Sequence, residues 1–309
     1  MPTIEIVEVG PRDGLQNEAL PLSTAQKLEF IRRAVAYGAR RIEAASFVSP
    51  RLVPQMADAE AVAAGLQRDA QVAYIGLVLN KRGALRAIAA GMDELGAVCA
   101  ASDTFAERNQ GQSADASLAM CCDVVGMARA AGRRAQITIS AAFGCPFEGE
   151  VEPARVVAMA RAAAAAGAVE VALADTIGAA GPGEVAGLVA RVAAEIAPLP
   201  VRAHFHNTRN SGLANVWAAV GAGAKTIDAS LGGIGGCPFA PQATGNVPTE
   251  DVAYMLQRSG YRTGLDLARL IESARWLGAT MGRQVPGLLS RAGLFPKPSA
   301  GGEARSSTG

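Results

Sequence analysis

RAAAAAGAVEVALAD, residues 161–175, joins an alanine-rich helical end to a glycine and then to a short apolar run that finishes on an acid. Alanine is the strongest helix former. A glycine just past a helix supplies the left-handed C-terminal cap, here Gly167. The apolar run that follows suits a parallel strand covered on both faces. The same order of helix, glycine and strand returns in RRAVAYGARRIEAAS (32–46, Gly38), RAIAAGMDELGAVCA (86–100, Gly91), ARAAGRRAQITIS (128–140, Gly132) and WAAVGAGAKTIDASL (217–231, Gly223). TIEIVEV (3–9), QVAYIGLVL (71–79) and PVRAHFH (200–206) add three further strand-like runs. About eight strands alternating with helices predict an α/β fold, a closed (β/α)8 TIM barrel, with a doubly wound open sheet as the alternative.

No linker interrupts this pattern, so residues 1–295 read as one barrel domain. The stretch 265–281 is expected as an additional C-terminal helix outside the barrel. The remainder, 296–309 (PKPSAGGEARSSTG), has the composition of a disordered tail.

Half of the 309 residues are hydrophobic, yet 29 Lys and Arg nearly balance 28 Asp and Glu, for a net charge of +1. That balance leaves no electrostatic footprint for nucleic acid or an anionic membrane. No apolar run reaches the length of a membrane span, and the start lacks a signal-peptide pattern, so a cytoplasmic protein is expected. The five cysteines form no C-x-x-C pair and read as reduced thiols, with Cys121 and Cys122 in a helical core pattern.

The chain has two histidines, His204 and His206, one residue apart in a strand-like run. On a strand both imidazoles face the same side, which suggests a metal. In a barrel, catalytic groups gather at the carboxyl ends of strands. Those ends carry Arg12 and Asp13 (GPRDGLQNE), Asp175 (ADTIG), the two histidines and GGIGGCPFAPQATGN, while Glu43 lies within the second strand. A mixed nitrogen and oxygen set suits Mg²⁺, Mn²⁺ or Zn²⁺. Asp13 has a second reading as a helix cap, and Arg12 as a structural ion-pair partner of Glu43. GAGAKT (221–226) is no phosphate loop, because Ala224 stands where a glycine must precede Lys225. GGIGGC (232–237) lacks the dinucleotide spacing and reads as a mobile catalytic loop that presents Cys237.

VEVGPRDGLQNE (7–18), IEAASFVSPRLVPQMAD (42–58), GCPFEG (144–149), DTIG (175–178), HFH (204–206) and GGIGGCPFAPQATGNVPTEDVAYML (232–256) occur in this order. From residue 3 to about 281 the chain resembles the 3-hydroxy-3-methylglutaryl-CoA lyase family, among the DRE-TIM metallolyases. The resemblance implies Asp13, His204, His206 and Asn246 as ligands of a divalent cation, Mg²⁺ or Mn²⁺, with Zn²⁺ also compatible. It implies Arg12 at a substrate oxygen, Glu43 in support and Cys237 as a proton carrier; His206 and Asp13 are the two candidates to accept the hydroxyl proton. Asp175 falls on its acyl-CoA side, and Gln16, Ser46 and Thr176 are further candidate substrate contacts; Arg209, where the family has a tyrosine, reads either as a fork for a substrate carboxylate or as the partner of a surface acid at the rim. The implied partner is an acyl-CoA, and the implied assembly a homo-oligomer, dimer or higher.

Where many members read H-x-H-D-T-Y-G, this chain has Asn207, Arg209 and Asn210 in place of the acid, the phenol and the glycine. Ala172 and the RNQGQS segment (108–113) also depart from the family pattern. The expected activity is cleavage of 3-hydroxy-3-methylglutaryl-CoA or a close 3-hydroxyacyl-CoA. The alternatives are a Claisen-type synthase joining an acyl-CoA to a 2-oxo acid, and an inactive acyl-CoA-binding relative.

Overall fold

The computed structural model describes residues 1–236 and 245–296. Eight strands pair in parallel in chain order: β1 (Glu5–Glu8), β2 (Arg41–Ser46), β3 (Ala73–Val78), β4 (Glu94–Ala100), β5 (Arg134–Ser140), β6 (Val171–Asp175), β7 (Val201–Phe205) and β8 (Thr226–Ala229). β8 pairs with β1, from Glu5 against Thr226 to Glu8 against Ala229, and closes the barrel. The open sheet is thereby excluded.

Helices α1 (Thr24–Ala36), α2 (Ala59–Gly65) and α3 (Lys81–Ala89) follow the first three strands. The pair α4 (Asp103–Gln110) and α5 (Ala114–Ala130) follows β4. Then come α6 (Pro153–Ala165), α7 (Pro182–Glu195), α8 (Gly212–Gly221) and α9 (Thr249–Arg258), one after each remaining strand. The two C-terminal helices are α10 (Leu267–Met281), which packs on α9 and α1, and α11 (Leu289–Ala292). No helix among the described residues is long and apolar enough to cross a membrane.

The five glycines read as caps all have positive φ, from +67° at Gly132 to +109° at Gly223. L-residues with a Cβ avoid this region. Ile42, Leu95, Ile137, Leu173, Phe205 and Ile227 on the strands pack with Phe30, Val124, Val156, Val189 and Val216 on the helices into one buried core. Each such side chain contributes roughly 1.5–3 kcal/mol of burial.

The interior of the barrel departs from the expected apolar cover. Arg41 on β2 donates to Glu94 on β4 at 2.6 Å and to Glu170, just before β6, at 2.8 Å. These strands are not neighbours, so the bonds cross the lumen. Arg202 on β7 and Asp228 on β8 continue this buried network. Val7, Val9 and Ile75 form a small apolar cluster separate from the main core. Short apolar strand runs therefore interleave with charged residues whose partners sit on other strands.

Candidate active site

After β1 the chain makes a single wide turn, Gly10–Gly14, in which the amides of Arg12, Asp13 and Gly14 all point to the carbonyl of Val9. The turn is packed too tightly for larger residues. A Cβ on Gly10 would lie 2.5 Å from Glu8 Oε1, and one on Gly14 would lie 2.7 Å from Ser230 Oγ. It sets Arg12 and Asp13 side by side over the barrel mouth. Arg12 donates through Nη1 to Asp13 Oδ1 and through Nη2 to Glu43 Oε2, each at 2.6 Å. Glu43 stands where the β2–β3 register shifts, a local irregularity of the kind that re-aims a side chain. Burial raises the Glu43 pKa, and the nearby guanidiniums of Arg12 and Arg202 offset only part of that. For Asp13 burial acts in the same sense, but Arg12 and the two histidines outweigh it and hold the carboxyl well below the usual range.

His204 and His206 share one face at the end of β7, their ring centroids 5.2 Å apart. His204 Nε2 lies 3.9 Å and His206 Nε2 4.0 Å from the same atom, Asp13 Oδ2. His204 Nδ1 faces Asp228 Oδ2 at 3.1 Å. Burial disfavours the charged ring, but Asp228 and Asp13 more than compensate and raise the His204 pKa. Asn246 pairs with His206 in an isolated bridge. Its Nδ2 donates to Asp13 Oδ2 at 2.8 Å and to the carbonyl of Ile234 at 3.1 Å. Gly235, at φ +100°, presses against this group, and a Cβ there would lie 2.8 Å from the Asp13 carbonyl.

Asp13, His204 and His206 offer ligand atoms that all lie within 4.8 Å of one another. Asn246 Oδ1 is a buried acceptor without a partner among the described residues. Two imidazoles, a carboxylate held ionised and an unsatisfied amide oxygen form a donor set that fits a divalent cation. Arg12 Nε, Gln16 Oε1 and Ser46 Oγ are likewise buried without partners among the described residues. A polar ligand at the mouth would satisfy such groups.

The other expected substrate contacts are spent on loops. Asp175 accepts from the amides of Ala179 and Ala180 at 2.8 and 3.1 Å, and Thr176 Oγ1 accepts from the Ala141 amide at 2.9 Å. Arg209 donates to the carbonyls of Ile177 and Gly178 at 3.1 and 2.8 Å, clamping the loop after β6, and forms no ion pair with a surface acid among the described residues. Asn207 accepts from the Gly212 amide at the start of α8. Asp13 does not cap α1, whose cap is Ser23. Cys237 lies outside the described residues. The chain leading to it is tied at Gly236, whose carbonyl accepts from Asn17 Nδ2 at 2.9 Å. Cys99, Cys121, Cys122 and Cys145 are free thiols, and burial raises the pKa of Cys121.

Sequence reasoning missed Asp228 and Arg202. The available signal was period two: Arg202 falls on the same strand face as His204 and His206, and Asp228 interrupts an apolar strand.

A family model described as HMGL-like matches residues 3–277. The chain is 44% identical to the (R)-citramalyl-CoA lyase of Chloroflexus aurantiacus, over 96% of this chain and 97% of that one. It is 41% identical to the hydroxymethylglutaryl-CoA lyase of Pseudomonas mevalonii, over 95% and 97%. The solved structure of an HMG-CoA lyase from Acinetobacter baumannii in complex with coenzyme A and 3-methylmalate superposes with a TM-score of 0.91 at 40% identity, over 96% of this chain and 98% of that one. A family match over most of the chain, joined to relatives above 40% identity along nearly all of it, assigns this chain to the HMGL-like family of enzymes.

Proposed function

We propose that this protein is a divalent-cation-dependent carbon–carbon lyase that splits a carboxylate-bearing tertiary 3-hydroxyacyl-CoA into acetyl-CoA and an oxo acid. The observation that carries this reading is the convergence of His204 Nε2 and His206 Nε2 on Asp13 Oδ2, beside an arginine held between two carboxylates. Asp13, His204, His206 and Asn246 would hold the cation, which when bound acidifies the substrate hydroxyl.

In the reaction the C2–C3 bond breaks and its electrons move to C2. The hydroxyl proton leaves and the carbinol carbon becomes a carbonyl. Arg12, positioned by Asp13 and Glu43, supplies a fixed positive charge for the thioester oxygen as the enolate develops. Asp13 and His206 are the groups at hand to accept the hydroxyl proton. Cys237 is proposed to return a proton to the enolate carbon.

The first substrate reading is 3-hydroxy-3-methylglutaryl-CoA, which yields acetoacetate. Citramalyl-CoA, which has one methylene fewer between the carbinol carbon and its carboxylate, yields pyruvate. It is a second reading, supported by the 44% identity to the Chloroflexus aurantiacus enzyme. One methylene in a pocket is worth roughly 1–3 kcal/mol, so a preference of tenfold or more in kcat/KM is expected. The test incubates Mn²⁺-loaded protein with each thioester and follows acetyl-CoA, acetoacetate and pyruvate. Absence of acetyl-CoA from both would sink the lyase reading.

A further inference from the structure

The His204 imidazole is gripped from the side opposite Asp13. Asp228, 4% exposed, divides its oxygens: Oδ1 accepts from Arg202 Nε at 2.5 Å, and Oδ2 faces His204 Nδ1 at 3.1 Å. Arg202, 2% exposed, is itself held from behind, with Nη1 3.8 Å from Glu170 Oε2. Glu170 is fixed in turn by Arg41 at 2.8 Å and by Thr226 Oγ1 at 2.7 Å. A chain of alternating charges therefore runs through the barrel interior to one nitrogen of one histidine.

An ionised carboxylate can only accept hydrogen bonds. The proton of the neutral His204 ring must therefore sit on Nδ1, which leaves the lone pair on Nε2, the atom that faces Asp13 Oδ2 at 3.9 Å. A cation ligand needs that lone pair. We infer that Asp228 and Arg202 are positioning residues for His204: Asp228 selects the ring tautomer whose Nε2 can coordinate, and Arg202 selects which oxygen of Asp228 does so. The inference rests on the cation site proposed above and extends it to two residues outside the ligand set.

The arrangement makes an unusual demand on the isosteric variant Asp228→Asn. Arg202 Nε is a donor and will claim the amide oxygen, turning Nδ2 toward His204 Nδ1. An NH₂ group facing that nitrogen forces it to accept, and the ring proton moves to Nε2, where it blocks coordination. An Asp→Asn change beside a catalytic histidine traps the wrong tautomer by the same logic. In Arg202→Met/Asp228→Asn nothing dictates the amide orientation, so the carbonyl can turn back to His204. The double variant should recover part of what the single one loses.

With two histidines in the chain, ¹⁵N-histidine NMR reads each ring separately. In metal-free protein, at a pH where the rings are neutral, wild-type His204 should carry its proton on Nδ1. Asp228→Asn should move it to Nε2 without changing His206, and should weaken Mn²⁺ binding, read by EPR, by roughly 10–100-fold. The double variant should return toward the wild-type tautomer and affinity. An Nε2 proton on His204 in the wild type, which needs no substitution to observe, overturns the inference. So does an Asp228→Asn protein with unchanged tautomer and Mn²⁺ affinity. Failure of the wild type to bind Mn²⁺ overturns the cation reading, and with it the purpose assigned to this chain of residues.

Discussion

Arg12 divides one guanidinium between Asp13 and Glu43, a geometry that a lysine ammonium cannot reproduce. Arg12→Lys is therefore expected to lower kcat by about 10²–10³-fold, the range for loss of one charge-stabilising donor, with Mn²⁺ affinity within a few-fold of wild type. A kcat near the wild-type value would remove Arg12 from the chemistry. Glu250 makes a different prediction. It is fully buried; its Oε2 accepts from the Gly232 amide at 2.9 Å, and its Oε1 has no partner among the described residues. Burial pushes its pKa up to about 8 from an ordinary 4.5. The folded state thus favours the neutral acid. Its contribution to stability is complete below about pH 4.5 and is lost as the pH rises through about 8. Glu250→Gln stays neutral and can still accept from Gly232, so it should outlast the wild type at pH 9 by on the order of 5 kcal/mol and match it at pH 4.5. Denaturant unfolding across this range is the measurement; parallel pH profiles would show that Glu250 is charged in the fold.

At the scale of elements, the sign of one substitution is set by backbone angle. Gly132 ends the α5 segment at φ +67°, whereas Gly126 lies inside α5, and a Cβ at either would meet nothing within 4 Å. Gly132→Ala is expected to destabilise by about 1 kcal/mol and Gly126→Ala to stabilise by about 0.5–1 kcal/mol. Equal effects from the two would refute the conformational account of the caps. These caps were readable because a glycine after a run of helix formers has a local cause. The turn at Gly10–Gly14 was not, since the need for glycine there comes from Phe30, Ser230 and Ile234 on distant segments. Arg209 shows the same limit: its charge suggested a carboxylate fork, but two carbonyls of the loop after β6 take its Nη1.

For the molecule as a whole, the proposed cation joins the end of β1, the end of β7 and Asn246 beyond β8, three segments that meet only in the folded state. A ligand that binds the folded chain alone stabilises it by about 2.7 kcal/mol at a hundredfold excess over Kd. Mn²⁺ should therefore raise the Tm over that in chelator by several degrees, and His206→Ala should abolish the rise. An equal shift in His206→Ala would place the ion elsewhere. The sequence by itself determined the barrel, its glycine caps and the groups at the strand ends, because helix propensity, left-handed glycines and the two-residue strand period are local properties read along the chain. Tertiary structure alone decided that Asp13 faces both histidines, that Arg12 bridges Asp13 and Glu43, and that Arg202 reaches His204 through Asp228. Closing the barrel brings β8 back to β1 and lets charges on different strands meet across the lumen, and no spacing along the sequence encodes which of them will pair.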